Sequence, residues 1–227
     1  MLFLVATPIG NLTDFSQRAI NTLNSCDYIL CEDTRHSSIL LKHYGIHKPL
    51  KSFHKFNESK REKEIIEDLQ SGITIALIGD AGTPSINDPG ERLVRRCREE
   101  NIVVSAIPGA CSPIVALILS GFPTDRFQCV GFLPRTPGKL KKALSEFLNY
   151  PGTTICLESP YRIIASLKAL ESLAPDTKVS ISRELTKTHE EVLLGSPSEL
   201  LAHFKTKAPK GEFIFLISGS THLSKKK

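Results

Sequence analysis

The residues able to do chemistry in this 227-residue chain sit in short polar runs, each following an apolar run. The most distinctive run is Gly79-Asp80-Ala81-Gly82-Thr83-Pro84, which continues to Asn87-Asp88-Pro89-Gly90. Its glycines let backbone approach a ligand closely, and its prolines hold the loop in one shape. No lysine stands beside the glycines and G-x-x-x-x-G-K is missing, so this is not a nucleoside-triphosphate cradle. The dinucleotide fingerprint G-x-G-x-x-G is missing too. What the loop presents instead is a carboxylate, Asp80, which repels phosphate and suits a cation, an ammonium or sugar hydroxyls. The other reading is that Asp80 only caps a turn, as Asp readily does.

Two mixed-charge clusters also follow apolar runs: Glu32-Asp33 with Arg35, and Arg183-Glu184 with Lys187. Such clusters are either structural ion pairs or groups whose pKa is tuned beside a cleft. His36, His43, His47 and His54 join Arg35, Lys42, Lys48, Lys51, Lys55, Lys60 and Arg61 in one basic region, and Arg135, Lys139, Lys141 and Lys142 form a second. Each is a solvated surface or an electrostatic footprint for RNA phosphates. The chain has no Trp and four Tyr, so backbone contact and shape are expected to outweigh base stacking. No histidine pair has zinc spacing and no cysteine pair forms CxxC, so no metal site is expected. Neither Ser/His/Asp nor Cys/His spacing supports a nucleophilic mechanism.

The elements that must position these residues alternate strand and helix. Apolar runs at Leu2–Ala6, Ile73–Ile78 and Ile102–Ile107 each end in a Pro/Gly loop, and further strands fall at Tyr28–Cys31 and Leu50–Phe53. If the first three lie parallel, their carboxyl ends share one mouth. Helices are expected from a Thr13 or Asp14 cap to Leu23, over Ser37–Tyr44, from an Asn57 or Ser59 cap to Gln70, over Glu91–Glu100 and over Pro113–Ser120. After Gly121-Phe122-Pro123 the strands come closer together, as in a partly antiparallel sheet. The expected architecture is therefore α/β in two domains. Residues 1–120 carry a mostly parallel sheet, residues 121–220 a mixed sheet, and residues 221–227 a basic tail.

The blocks ATPIGNLTD (6–14), EDTRHSSILLKHYGI (32–46), GDAGTPSINDPG (79–90), IPGACS (107–112), GFLPR (131–135), ESPYR (158–162), RELTKTHEEV (183–192) and KGEF (210–213) together resemble the ribosomal RNA small subunit methyltransferase I family, of the tetrapyrrole-methylase-like superfamily. The resemblance runs in order to Gly219. It implies S-adenosylmethionine-dependent 2′-O-methylation of a cytidine ribose in the decoding region of 16S rRNA. It also implies a homodimer, and a cofactor cleft between the two domains. By position in the matched motifs, Pro8, Gly79, Asp80, Ala81, Gly82, Thr83, Cys111 and Ser112 would line the cofactor, joined by Glu158, Leu185, Gly211 and Glu212 from the second domain. Asp33 and Glu184 are candidate proton acceptors and Lys187 a third catalytic candidate. Arg35, Arg135 and Arg162 are candidate clamps on ribose or phosphate. Some family members continue past the final strand, so the terminal lysines here are what could supply part of any RNA contact such a tail makes. Two other readings share the fold: a tetrapyrrole (precorrin-type) methyltransferase, and a non-catalytic RNA-binding or ribosome-assembly protein.

Bulk properties agree with these readings. Net charge is +5, with three lysines at the end of the chain, so global charge says little about a partner. No apolar run reaches the roughly 20 residues that span a bilayer, and Leu2–Ala6 is too short for a signal segment, so no membrane association and a cytoplasmic setting are expected. The six cysteines lie in or beside apolar segments and are expected to be buried, reduced thiols.

Overall fold

The computed structural model describes residues 1–219; the basic tail lies outside them. The chain divides into two compact units, Met1–Cys111 and Ser112–Lys227, earlier than the expected boundary after residue 120.

The first unit holds β1 (Leu2–Val5), α1 (Gln17–Ser25), β2 (Tyr28–Cys31), α2 (Thr34–His43), β3 (Leu50–Ser52), α3 (Glu58–Gln70), β4 (Ile75–Leu77), α4 (Glu91–Glu99) and β5 (Val104–Ile107). All five strands are parallel, in the order β3-β2-β4-β1-β5. Successive strand residues face opposite ways, so each face carries its own core. Ile29, Cys31, Ala76 and Ile78 pack with Ala19 and Leu23 of α1 and Leu41 of α2. Tyr28, Leu30, Ile75 and Leu77 pack with Ile65 and Leu69 of α3 and Leu93 and Cys97 of α4. β2 and β4 are buried throughout, as apolar runs in a parallel sheet should be. β5, although it begins in an apolar run, is an edge strand with only Ile107 fully covered.

Local starts differ from expectation where a nearby oxygen competes for the first free N–H groups. Neither Thr13 nor Asp14 caps α1. Asn11 Oδ1 accepts from Thr13 N at 3.1 Å and closes a 3-10 turn, and Ser16 Oγ then caps α1 through Ala19 N at 3.1 Å. α2 begins earlier than Ser37 because Asp33 caps it. Asn57 precedes α3 but turns its side chain back to accept from His54 N.

The second unit holds α5 (Ser112–Ser120), β6 (Phe127–Phe132), α6 (Pro137–Asn149), β7 (Thr153–Glu158), α7 (Ile163–Leu173), β8 (Val179–Arg183), β9 (Glu191–Gly195), α8 (Pro197–Thr206) and β10 (Phe213–Ser218). Its sheet order is β6-β7-β10-β8-β9, with β6 and β7 parallel and the other neighbours antiparallel. One face packs Phe213, Phe215 and Ile217 against Leu144, Leu167, Leu170, Leu200 and Phe204 of α6, α7 and α8. α5, apolar almost throughout, lies against β7, β8, β9 and β10, which is why it belongs to this unit. Two cysteines depart from expectation: Cys111 is half-buried and Cys129 exposed, because the latter lies on edge strand β6. No described helix is long and apolar enough to cross a membrane.

Phe215 is fully buried at the centre of the second core. Phe215→Ala should cost about 4 kcal/mol, read from urea unfolding with an unchanged m-value.

Candidate active site

Because β4, β1 and β5 are neighbours, the three Pro/Gly loops emerge side by side at one edge of the first sheet. They are tied by main chain. Thr7 N donates to Gly82 O at 2.9 Å, and Gly82 N donates back to Thr7 O at 3.1 Å, an antiparallel bridge between loops of a parallel sheet. Thr83 Oγ1 donates to Ala110 O at 3.0 Å, adding the loop after β5. Gly82 has φ +82°, and a Cβ there would lie 3.1 Å from Ile9 Cγ2, so a side chain would be both strained and crowded. Gly82 is buried and Pro8 and Thr83 are half-buried, whereas Asp80 and Ala81 are exposed at the mouth.

The β2 end joins through Asp80, whose Oδ1 accepts from Asp33 N at 3.2 Å. Asp33 in turn accepts from Arg35 N at 2.8 Å and His36 N at 3.3 Å, and these bonds hold its carboxyl below the ordinary value. Two further acids complete the edge: Glu32, which the sequence places in a mixed-charge cluster, and Asp88, which it places in a turn-like run. Burial and then the charge of Asp80 push Glu32 up. Burial, Glu32 and Asp80 push Asp88 up to about 6. The Asp88 Oδ2 fills the space beside Gly79 that a Cβ would otherwise occupy. This concentration of negative charge favours a cationic ligand. Among the described residues no cluster could hold a metal ion.

In the second unit β6, β7 and β8 run one way and β10 the other, so Arg135, Glu158, Glu184 and Glu212 share one edge. Glu158 is buried, with both oxygens engaged: Oε1 accepts from Ser159 N at 2.8 Å and from the Arg162 guanidinium, and Oε2 accepts from Ser166 Oγ at 2.6 Å. Arg162 also donates to Leu133 O at 2.9 Å, fastening the loop after β6. Glu184 Oε1 accepts from Glu212 N at 3.0 Å and Lys187 Nζ at 3.0 Å, and these bonds lower its carboxyl despite partial burial. Lys187 also reaches Glu212 Oε2 at 3.2 Å. Glu184 and Thr186 hold φ of +50° and +64°, a conformation costly for residues with a Cβ. Gly211, at φ +91°, leaves the space that the Glu184 carboxylate fills. Leu185 is buried. Glu158, Arg162, Glu184 and Lys187 are thus already partnered, while Arg35 and Arg135 are exposed and in no ion pair among the described residues.

The model of the tetrapyrrole (corrin/porphyrin) methylases matches residues 1–201, so the chain belongs to that class. Solved structures agree at the level of fold. A diphthine synthase superposes with a TM-score of 0.71 at 14% identity over 96% of this chain and 90% of that one. A cobalt precorrin-4 methyltransferase gives 0.68 at 13% over 96% and 94%. Within the class the chain belongs to the ribosomal RNA small subunit methyltransferase I family. The protein of that name from Synechocystis sp. is 45% identical over 97% of this chain and 80% of its own length, and that from Thermotoga maritima 43% over 96% and 98%.

Asp88 supplies a pH test. Its folded pKa lies above the ordinary carboxyl value of 3.8, so the stability it contributes is present below about pH 4 and lost as pH rises through about 6. Asp88→Asn should therefore melt higher than the parent at pH 8, with the gap narrowing as pH falls through about 6 and gone only below about pH 4, read by thermal unfolding of both proteins.

Proposed function

We propose that the chain is an S-adenosylmethionine-dependent methyltransferase that 2′-O-methylates a cytidine ribose in the decoding region of 16S rRNA within the 30S subunit, and that it works in the cytoplasm. The observation that carries this reading is the interlocked, acid-lined mouth on a chain 45% identical to a named small-subunit rRNA methyltransferase over 97% of its length. The mouth fits the cofactor's chemistry. Glu32, Asp80 and Asp88 suit its ammonium and sulfonium charges, and the missing side chains at Gly79 and Gly82 let Asp88 and Ile9 pack against the loop and fix its shape. When bound, S-adenosylmethionine supplies a methyl group already activated as a sulfonium.

The chain's own contribution is then alignment, which is where an activated donor leaves most of the barrier to be lowered. Pro8, Gly79, Asp80, Ala81, Gly82, Thr83, Cys111 and Ser112 hold the donor in this reading, with Glu158, Leu185, Gly211 and Glu212 contributing through the loops they shape. Asp33 and Glu184 accept main-chain N–H groups and sit below the ordinary carboxyl range, which supports loop-positioning over proton abstraction. Lys187 is the cation that keeps Glu184 in place. Arg35 and Arg135 remain free for phosphate, whereas Arg162 acts through Glu158 and Leu133. A homodimer belongs to the same proposal. α5 turns Ile114, Ile118 and Leu119 outward at 41, 65 and 45% exposure, apolar surface that a second copy would cover.

Labelled cofactor incubated with unmodified 30S subunits should place its label on one cytidine ribose. Label on neither 30S subunits nor free rRNA, from protein that binds the cofactor, would sink the assignment. Asp80→Asn should weaken S-adenosylmethionine binding about tenfold by calorimetry, as expected for loss of one charged hydrogen-bonding partner. Ile118→Glu should shift the protein from dimer to monomer in sedimentation velocity.

A further inference from the structure

Phe56 is 90% exposed, an unusual position for a large apolar ring, which burial favours. The turn that carries it, residues 54–57, leaves β3 at the carboxyl edge of the first sheet and is firmly held. Phe53, buried at 1%, anchors one side and extends the strand through Phe53 N to Cys31 O at 2.8 Å. His54 N donates to Asn57 Oδ1 at 2.8 Å, Phe56 N to His54 Nδ1 at 3.2 Å, and Asn57 Nδ2 to Ser52 O at 3.1 Å. Among the described residues the ring's aromatic neighbour is His54, at 6.1 Å between centroids with the planes 64° apart, and the ring is left almost wholly open to solvent. Because Phe53 pairs with Cys31, the residue before Glu32, the turn stands beside the acid-lined mouth. Lys55 and Lys60 are exposed and in no ion pair among the described residues; Glu58 is the one acid between them. A protein partner needs roughly 800 Å² from each side, far more than one ring of about 150–250 Å² offers. A nucleobase has a matching flat face and brings the phosphates that lysines neutralise.

We propose that Phe56 is a stacking site for one unpaired base of the rRNA strand presented to the mouth, with Lys55 and Lys60 meeting the adjoining phosphates. This rests on the rRNA reading above and adds a base contact to it.

The chain contains no tryptophan, so Phe56→Trp introduces a single indole at the site. Its fluorescence should be quenched by 16S rRNA and by 30S subunits, and left unchanged by S-adenosylmethionine. Phe56→Leu should raise KM for 30S subunits about tenfold, with cofactor affinity and melting temperature at parental values, and Phe56→Trp should restore KM. A parental KM in Phe56→Leu overturns the stacking site while leaving the rRNA reading intact. An indole signal that follows protein concentration without RNA also overturns it, because the ring is then covered by a second copy. If the parental protein itself fails to methylate 30S subunits, the underlying reading falls first and the stacking site with it.

Discussion

The pair of hydrogen bonds between Thr7 and Gly82 is the constraint on which the first unit's mouth depends. Parallel strands end with their last N–H and C=O groups unpaired, and loops that leave them normally diverge. Here the loops after β1 and β4 pair as a two-residue antiparallel bridge, which requires Gly82 at φ +82°. Thr83 then reaches Ala110 and brings in the loop after β5. A ligand surface made this way is set by backbone geometry, and it needs little reorganisation because the main-chain groups of the bridge are already paired.

The two units treat charge differently. At the edge of the first sheet burial and then the charge of Asp80 raise Glu32, and burial, Glu32 and Asp80 raise Asp88; neither Glu32 nor Asp88 is in an ion pair among the described residues. At the edge of the second, Glu158 and Glu184 each have a cation and a main-chain N–H. The first arrangement is electrostatically unsatisfied and favours a cationic ligand. The second is closed, and what it offers is a fixed loop shape, including the strained turn at Glu184 and Thr186. An unpartnered cluster and a partnered one look alike in a string of letters, since both read as acids beside bases after a strand.

That limit explains what the sequence made legible. Strand positions, the parallel first sheet and the mixed second sheet follow from apolar runs and their spacing, because burial on both faces leaves few other solutions. The shared mouth was legible for the same reason: three Pro/Gly loops after three strands meet if β4, β1 and β5 are neighbours, and they are. Edge status was not legible, because the run Ile102–Ile107 reads as a strand like the others and only the sheet order places it at the edge. Helix α5 carried an ambiguity of another kind: its sequence says apolar, and only its packing on β8 and β10 assigns it to the second unit. Asp88 was missed because Asp-Pro-Gly reads as a turn, and only coordinates bring its carboxylate against Gly79.

One pattern unites the acids that did attract attention. Asp33, Asp80, Glu158 and Glu184 each stand at or just beyond a strand's carboxyl end, and each accepts a main-chain N–H there. The physical cause is general: past the last ladder pair, N–H groups need acceptors, and a carboxylate is the strongest one a side chain supplies. A lowered carboxyl at Asp33 and Glu184 is then the signature of loop anchoring. It follows that a methyl donor activated by its own sulfonium can be served by a site whose acids shape backbone, with electrostatic selectivity left to Glu32, Asp80 and Asp88. Asp80 belongs to both groups, since it accepts from Asp33 N and also faces Glu32 and Asp88. It is the residue through which loop shape and ligand charge are joined.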